Sequence, residues 1–581
     1  MSKLLWNVLK FSPVLIAATF TAAGSALAGE VNDSVTSVNQ IAQGQQSDNI
    51  GQVTSVSQFS DVQPTDWAFQ ALQSLVERYG CIAGYPNGTY RGNRALTRYE
   101  FAAGLNACLD RVNELIATAT ADLVSKEDLA ALQRLQEEFS AELATLRGRV
   151  DNLEARTAEL EANQFSTTTK LVGEAIFNIS DTFGESRAER SSDLINNRVP
   201  LNADGSIASK RDLNSNTIFS DRVRLRLNSS FTGKDQLQIR LQARNTAQYD
   251  GGSTSATNPR PNITGTSMTR FSFDGDNGNN VVIDKIWYRF PLTDAVSVKL
   301  DANAGEFYDN INNFNPDLAS DARGAIARYG RFSPIYRQGN GGSGATINFA
   351  PKNGAISASV GYLAGGGGTN VGNDPIDKKG LTDGNFAAIA QLGFQASDKI
   401  GLGLTYARTY QNAAGGINQF DSTGSDLVNR PFGDNDAAIS ANHYGLQANI
   451  RPSEKIAVGG WVGYADMEAQ SGTDTAGTNL GGKDATAFYW AANLGLRDLG
   501  AKGSLLGVTF GQPPKVTGSR YKVGGVRQID ADTSYHLETL YRMQLSENIA
   551  VTPGLLVIFN PEHNEKNDTI YVGTLRTTFS F

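Results

Sequence analysis

Arginine recurs at alternating positions in two neighbouring segments of this 581-residue chain. Arg222, Arg224 and Arg226 come first, and Arg240 and Arg244 follow after a tight turn. In a strand this spacing puts the guanidinium groups on one face and the intervening, largely apolar side chains on the other. A row of guanidinium groups beside water attracts anions and can sort solutes by charge. The alternative is that these arginines are held in ion pairs away from any solute path.

A second set of charged side chains lies in the long polar connection of residues 307–342. Its members are Asp321, Arg323, Arg328, Arg331 and Arg337. Arginines that face carboxylates across a narrow water path set a transverse field, which filters by charge. Our hypothesis is that this connection and the basic face form a constriction that favours anions or small neutral solutes. The alternative is that the arginines of the connection are ordinary surface charges.

Catalytic and metal-binding chemistry have no comparable pattern. The three histidines, His443, His536 and His563, are scattered along the chain and fit no metal-ligand spacing. We therefore expect neither an enzyme nor a metal or other cofactor. The net charge of −8 argues against nucleic acid as a partner.

Strands must position these residues, because the helical period is absent between residues 166 and 581 and alternating runs replace it. Seven short turns there alternate with eight longer polar connections, which predicts sixteen strands. The last segment, Thr569 to Phe581, alternates as well, and it either closes a barrel or forms the edge of a soluble sheet. Because the mean hydropathy is −0.30, such a chain enters a membrane only as a closed barrel. The predicted fold is therefore an all-β transmembrane barrel of about 16 antiparallel strands.

The residues before the barrel divide into three further segments and one module. Residues 1–28 predict a secretory signal peptide, and residues 29–58 predict a flexible polar leader. Residues 125–163 carry five heptads with mostly apolar a and d positions, which predict a coiled coil. Arg149 and Glu154 flank one apolar a/d pair and resemble a motif that favours three-stranded coils. In that motif the arginine of one chain reaches the glutamate of the next. Two solvated charges on a dimer are the alternative.

The module, residues 59–111, has two helical patterns around a turn-rich centre, with Asp66 and Thr97 as the expected N-caps. It contains both cysteines of the chain, Cys81 and Cys108, which form either a disulfide, as expected in an exported protein, or two reduced core thiols.

Four short motifs in this module carry a resemblance to a known family. They are Phe59-Ser60-Asp61-Val62, Trp67-Ala68, Gly84-Tyr85-Pro86-Asn87-Gly88 and Leu96-Thr97-Arg98-Tyr99-Glu100-Phe101. Together they resemble one complete surface-layer homology (SLH) module. The resemblance implies that Trp67, Arg98 and Glu100 bind cell-wall polysaccharide. The alternative is structural, with Trp67 in the core and Arg98 and Glu100 as an ion pair at a helix start.

The order of SLH module, coiled coil and barrel resembles the SLH-bearing porins of cyanobacterial outer membranes. Their barrels belong to the carbohydrate-selective porin family, and some are also labelled iron-uptake porins. The resemblance implies an outer-membrane channel for small solutes, either ions, iron or carbohydrates, and the coil motif adds the expectation of a homotrimer. It also implies that the third long connection folds into the lumen, and that the SLH module and coil lie in the periplasm on peptidoglycan-linked polysaccharide. The second candidate function is a mechanical tether between membrane and wall, with incidental transport.

Overall fold

The computed structural model describes residues 53–82, 84–85, 87–119, 126–163, 169–213, 215–250, 262–366, 369–433 and 437–581. The chain divides into two compact units, Met1–Ala162 and Asn163–Phe581. The expected signal peptide and residues 29–52 of the expected leader lie outside the described residues, as does Ser125, the residue before the long helix.

The first unit begins with a small module built on two helices. A 3-10 turn, Val56–Gln58, precedes α1, Phe69–Gln73, which continues into a π-helical turn, Ser74–Arg78. The second helix, α2, spans Arg98–Ala119. The buried core of the module consists of Val56, Phe59, Leu72 and Val76. Its packing therefore begins three residues before the predicted boundary at residue 59.

The two predicted helix caps have different outcomes. Thr97 caps α2, because its hydroxyl accepts the Glu100 N–H at 3.1 Å while the Glu100 carboxylate accepts the Thr97 N–H at 2.9 Å. This reciprocal pair is a capping box. The prediction for Asp66 is wrong, since its carboxylate closes the preceding turn by accepting the Gln63 N–H at 2.7 Å and α1 begins only at Phe69.

A disulfide joins Cys81 to Cys108. It corresponds to the disulfide alternative of the sequence analysis, and it ties the segment after α1 to the middle of α2. In the chain-entropy model, closing a loop of this length stabilises the module by roughly 3 kcal/mol.

A single long helix, α3, spans Lys126–Asn163 at the predicted position of the coil. Apolar side chains at its a and d positions are exposed in the isolated chain, among them Leu129, Phe139, Val150 and Leu153. No helix in the described part of the chain has a stretch long and apolar enough to cross a bilayer.

The second unit is a closed barrel of sixteen antiparallel strands, which confirms the predicted fold class. The strands are β1 Thr169–Phe183, β2 Ile218–Ser229, β3 Gln236–Thr246, β4 Val282–Pro291, β5 Val296–Gly305, β6 Gly342–Phe349, β7 Ile356–Gly366, β8 Phe386–Ser397, β9 Ile400–Gln411, β10 Ala438–Ser453, β11 Ile456–Ser471, β12 Asp484–Arg497, β13 Leu505–Ser519, β14 Tyr535–Gln544, β15 Ile549–Phe559 and β16 Ile570–Ser580. Each strand pairs with its neighbour in the chain, and β16 pairs with β1, with Glu174 opposite Ser580. The last strand therefore closes a barrel and is not a sheet edge.

Short turns and long loops alternate between these strands, as predicted. The loops contain three short helices, α4 Ser191–Ile195, α5 Gly380–Asp383 and α6 Asp426–Asn429. They also contain 3-10 turns at Ser267–Thr269, Phe307–Asp309, Tyr329–Arg331, Pro334–Arg337, Ala413–Gly415 and Pro561–His563. Four two-residue strands, Gly275–Asp276, Thr369–Asn370, Lys522–Val523 and Val526–Arg527, extend loop hairpins.

The outer face of the barrel is apolar. Leu392, Leu404 and Leu446 are each more than half exposed there, as expected for side chains that face lipid. Tyr406 and Tyr444 lie opposite each other on β9 and β10, with ring centroids 5.5 Å apart, in an arrangement typical of an aromatic belt at a membrane interface.

Candidate functional site

The third long loop, residues 306–341, folds into the barrel and is called the constriction loop below. Phe307, Phe332 and Tyr336 in it are completely buried although the loop has almost no regular structure. Its backbone reaches the opposite wall, where the Ile326 N–H donates to the Glu538 carboxylate on β14. The loop therefore crosses the lumen, as the family resemblance implies.

Glycines on the wall make room for the constriction loop. A β-carbon at Gly403 would lie 2.2 Å from the Phe314 ring, and one at Gly554 would lie 1.7 Å from the Ile326 side chain. Real β-carbons do not approach other atoms so closely, so a larger residue at either position would displace the loop side chain that now packs there. The loop is therefore seated at fixed points on β9 and β15.

Hydrogen bonds hold the same loop to several strands. The Tyr329 hydroxyl contacts the carbonyls of Trp490 and Gln512 at 2.8 and 2.7 Å. Arg576 on β16 donates to the Gly324 carbonyl at 2.6 Å and is fully buried. Arg576 therefore points into the barrel, where the constriction loop covers it.

Three buried apolar clusters lie inside the barrel. One buried cluster lies inside β10–β13 and includes Phe420, Phe432 and Trp461. A second lies inside β13–β16 and β1, and a third lies inside β7–β9. Each cluster joins inward wall residues to residues of the long loops. We call this region, inside β7–β16 and β1, the packed side.

The wall formed by β2–β5 borders a cavity of about 350 Å³ between the strands and the constriction loop, and we call it the basic side. The cavity is lined by Arg224, Arg226, Gln238, Arg240, Trp287, Arg289, Lys299, Glu306, Tyr308, Asp309, Asn310, Asn313, Ala319, Ser320, Asp321 and Arg331. Six of these side chains are cationic and three are anionic, so the lining carries a net charge of +3.

Like charges lie directly opposite each other on the basic side. Arg222 pairs with Arg244 and Arg226 pairs with Arg240 across β2 and β3. Arg240 in turn pairs with Lys285 on β4. Directly opposed like charges destabilise a sheet. Their accumulation on one wall points to a role other than stability.

Carboxylates compensate part of this charge near the loop end of the strands. Arg222 Nη2 lies 2.8 Å from Glu174 Oε1, and its Nη1 lies 2.8 Å from Asp321 Oδ2. Arg224 Nη1 contacts the same Asp321 oxygen at 2.6 Å. Asp321 of the constriction loop therefore anchors that loop to β2. Arg222 is buried, so it acts through this network and is remote from solute.

The other predicted wall arginines have separate partners. Arg240 forms an ion pair with Asp284, and Arg244 Nη1 donates to the Asp274 carbonyl at 2.8 Å. Arg226 is the least constrained, with Nη2 3.5 Å from Glu174 Oε2 and the side chain about a quarter exposed. Arg224, Arg226 and Arg240 line the cavity together.

The structure separates the predicted loop arginines. Arg331 lines the cavity, with its guanidinium 4.9 Å from the centre of the Tyr308 ring. Arg328 and Arg337 both approach Asp421 of another loop, and Arg337 is buried. Arg323 donates to Gln544 on β14 at 2.6 Å. Three of the four arginines predicted in this loop therefore lie outside the cavity lining.

Sequence reasoning missed several lining residues, among them Trp287, Arg289, Lys299 and Glu306, and it also missed the adjacent Lys285. Lys285, Trp287 and Arg289 alternate on β4 as the arginines do on β2, so the same period of two could have found them. The Lys285 ammonium forms ion pairs with Glu306 and Asp309 at the start of the constriction loop.

The three residues predicted for cell-wall binding lie on the surface of the first unit. Trp67 is 86% exposed, so the structural alternative that placed it in the core is wrong. Glu100 belongs to the capping box with Thr97 instead of an ion pair with Arg98. Arg149 and Glu154 are exposed on α3. Among the described residues, no group of histidine, cysteine or carboxylate side chains is arranged to hold a metal ion.

Comparison with known proteins gives the family of the barrel. The sequence pattern of the "Carbohydrate-selective porin, OprB family" matches residues 126–581. The chain belongs to this porin family. The "S-layer homology domain" pattern matches residues 58–102 of the porin, so an SLH domain precedes the barrel.

Two cyanobacterial relatives extend over nearly the whole porin. An uncharacterized protein of Synechocystis sp. is 40% identical over 582 residues, covering 97% of this chain and 98% of its own. An uncharacterized protein of Nostoc sp. is 47% identical, covering 91% and 86%. The outer membrane protein SlpA of Thermus thermophilus is 40% identical over 110 residues, covering 18% and 12%. The structure of Pseudomonas putida OprB aligns with a TM-score of 0.43 at 11% identity, covering 71% of this chain and 94% of that one. The porin is an outer-membrane protein with a cell-wall-binding SLH domain.

Proposed function

We propose that the porin is a passive channel whose water path runs along the basic side of the lumen and favours anions and small neutral solutes over cations. The lined cavity with its net charge of +3 carries this proposal. Cations in a narrow path lower the energy of an anion there and raise the energy of a cation. The packed side contributes buried apolar clusters to the lumen, so we place the selecting charges on the basic side.

Conductance of the purified porin in a planar bilayer tests whether a channel exists. We expect discrete single-channel steps in KCl and a lower permeability for solutes as they approach the size of a disaccharide. Parallel arms with iron salts and with glucose separate the solute classes. A barrel that inserts but carries no current would favour the second function, a mechanical tether between outer membrane and wall.

Anchoring to peptidoglycan-linked polysaccharide is the second part of the proposal. It rests on the SLH motifs and on the exposure of Trp67 beside the α1 helix. Arg98, exposed at the start of α2, is the proposed polar contact, and Glu100 supports it by fixing that helix start. Arg98→Ala and Trp67→Ala should each lower sedimentation with purified cell wall, with the half-buried Arg111→Ala on the same helix as Arg98 as the control. Equal sedimentation of all variants would contradict these roles.

We further propose that α3 assembles as a three-stranded coil in a homotrimer. The exposed a and d side chains of α3 need partners, and Arg149 at g can reach Glu154 at e of a neighbouring chain. Arg149→Glu should weaken the trimer measured by native mass spectrometry, and adding Glu154→Arg should restore it. An amount of trimer that neither substitution changes would contradict the proposed contact between Arg149 and Glu154. This arrangement would place three SLH domains together in the periplasm.

A further inference from the structure

We propose that the cavity on the basic side contains a binding site for small oxyanions with the chemistry of phosphate, formed by Arg226, Arg289, Lys299 and Arg331. This inference rests on the proposed channel and adds a ligand class to it. All four cations line the same cavity, between β2, β4, β5 and the constriction loop.

Arg289 and Lys299 form the rung of the wall nearest the short turns. They lie directly opposite each other on β4 and β5, where facing β-carbons are about 5 Å apart. Both approach Trp287, with Arg289 Cζ 5.8 Å and Lys299 Nζ 5.2 Å from the ring centre. Trp287 therefore holds two like charges side by side.

Charge compensation differs between the two ends of the cavity. At the loop end, Lys285 has two carboxylates, Glu306 and Asp309. At the turn end, Lys299 has one carboxylate partner, with Lys299 Nζ 2.7 Å from Asp301 Oδ1. No carboxylate of the described residues lies within the 4 Å ion-pair distance of the Arg289 or Arg331 guanidinium. The uncompensated charge of the cavity lining is therefore carried by Arg289 on β4 and Arg331 on the constriction loop.

The hydrogen-bonding capacity of these groups fits an oxyanion. Arg331 Nε donates to the Ala319 carbonyl at 2.7 Å, and its terminal nitrogens have no acceptor among the described residues. Arg289 uses Nη2 on Gln236 at 3.0 Å. Guanidinium groups present paired N–H donors that match the oxygens of phosphate, whereas chloride offers no such geometry. A site that also conducts must bind weakly enough to release its ion.

Block of chloride current by phosphate tests the site. Single-channel current of the full-length porin is measured in KCl at pH 7.5 while inorganic phosphate is added at constant ionic strength. We expect saturable block, and we expect the half-blocking concentration to rise about tenfold in Arg289→Gln/Lys299→Gln, equivalent to about 1.4 kcal/mol. Lys234→Gln/Lys352→Gln removes two exposed charges at the same turn end and should leave the block unchanged.

Three outcomes separate the possible failures. Anion-selective current without phosphate block overturns the site and leaves the channel intact, whereas no current in any variant contradicts the channel itself. Equal weakening of the phosphate block in both double variants would show that the block depends only on overall charge, and it would overturn the site. If the double variant does not insert, Arg331→Lys keeps the charge but loses the planar donor pair, and unchanged block would overturn the site.

Glucose 6-phosphate and glucose distinguish a site for free phosphate from a site for the phosphoryl group of an organic ester. Glucose 6-phosphate should block as inorganic phosphate does if the site recognises the phosphoryl group of an organic ester. Block by inorganic phosphate alone would assign the site to the free ion, and block by glucose at equal concentration would contradict an oxyanion site.

Discussion

The packed side and the basic side of the lumen are built from the same kind of alternating strand but enclose different contents. On β10–β13 the inward residues include Ala441, Ala465 and Tyr489, which join a buried apolar cluster. On β2–β5 the inward residues are mainly arginine and lysine, and they border a cavity. Apolar contacts on one side fix the constriction loop, and charge on the other side faces the water that remains. One wall therefore provides rigidity, and the other is the proposed site of selection.

Replacement of a wall glycine that contacts the constriction loop should have the largest effect on the packed side. Gly403→Ala places a β-carbon where the Phe314 ring lies, so the loop must leave β9 or distort it. We expect either a several-fold change in single-channel conductance or a loss of about 1–3 kcal/mol of stability in urea unfolding. Gly573→Ala on β16, where the new β-carbon would have ordinary contacts at 3.4 Å, is the matched control. Equal behaviour of the two variants would contradict a seated loop.

Arg576 tests the polar anchors of the packed side. Its guanidinium donates to the carbonyls of Asp321 and Gly324. Arg576→Met keeps the apolar bulk but leaves these buried acceptors unpaired, which costs about 1–3 kcal/mol. We expect a lower urea midpoint and noisier channel current because the loop is less fixed. Current noise identical to that of the unmodified porin would show that Arg576 does not hold the loop.

A smaller, pH-dependent effect is expected where the long loops cover the packed side. The Glu562 carboxylate accepts the Thr266 hydroxyl and the Asp426 N–H, each at 2.7 Å. Burial, with the Asp426 and Asp530 carboxylates nearby, raises the pKa of Glu562 from 4.5 to about 8. The folded state therefore holds the proton more tightly, and the resulting stabilisation is complete below about pH 4.5 and is lost as the pH rises through about 8.

Hydrogen exchange of residues 412–433 measures this effect. We expect faster exchange at pH 9.5 than at pH 6, after correction for the intrinsic rate. Glu562→Gln, which is permanently neutral, should remove most of the difference. Asp204→Asn, on an exposed loop carboxylate, provides the control. A pH response that persists unchanged in Glu562→Gln would assign the titration to another group.

Much of this architecture follows from period and turn spacing. The alternation of long and short connections predicted sixteen strands, and the period of two placed Arg224 and Arg226 on the inner face. The same pattern could not predict that Arg222 and Arg576 are buried, because it specifies a face but not what covers it. The pairing of β3 with β4 shifts in register after Arg240, and the consecutive residues Asp284 and Lys285 are both among the charged groups of the wall. A strict period of two would place only one of them there.

The SLH module shows the same limit. Its sequence located both helices and the N-cap at Thr97, since these depend on neighbouring residues. The exposure of Trp67 depends on tertiary packing, and its type alone favoured the core. Arg328 and Arg337 were grouped with Arg331 because they are close in sequence, but their common partner, Asp421, lies in a different loop.

The reversal potential in a KCl gradient tests the central claim most directly. We predict that the unmodified porin prefers chloride, and that Arg226→Gln/Arg289→Gln/Lys299→Gln shifts the reversal potential toward cation preference. Lys234→Gln/Lys352→Gln should retain most of the original value. Cation preference in the unmodified porin that these substitutions leave unchanged would contradict a solute path along the basic side.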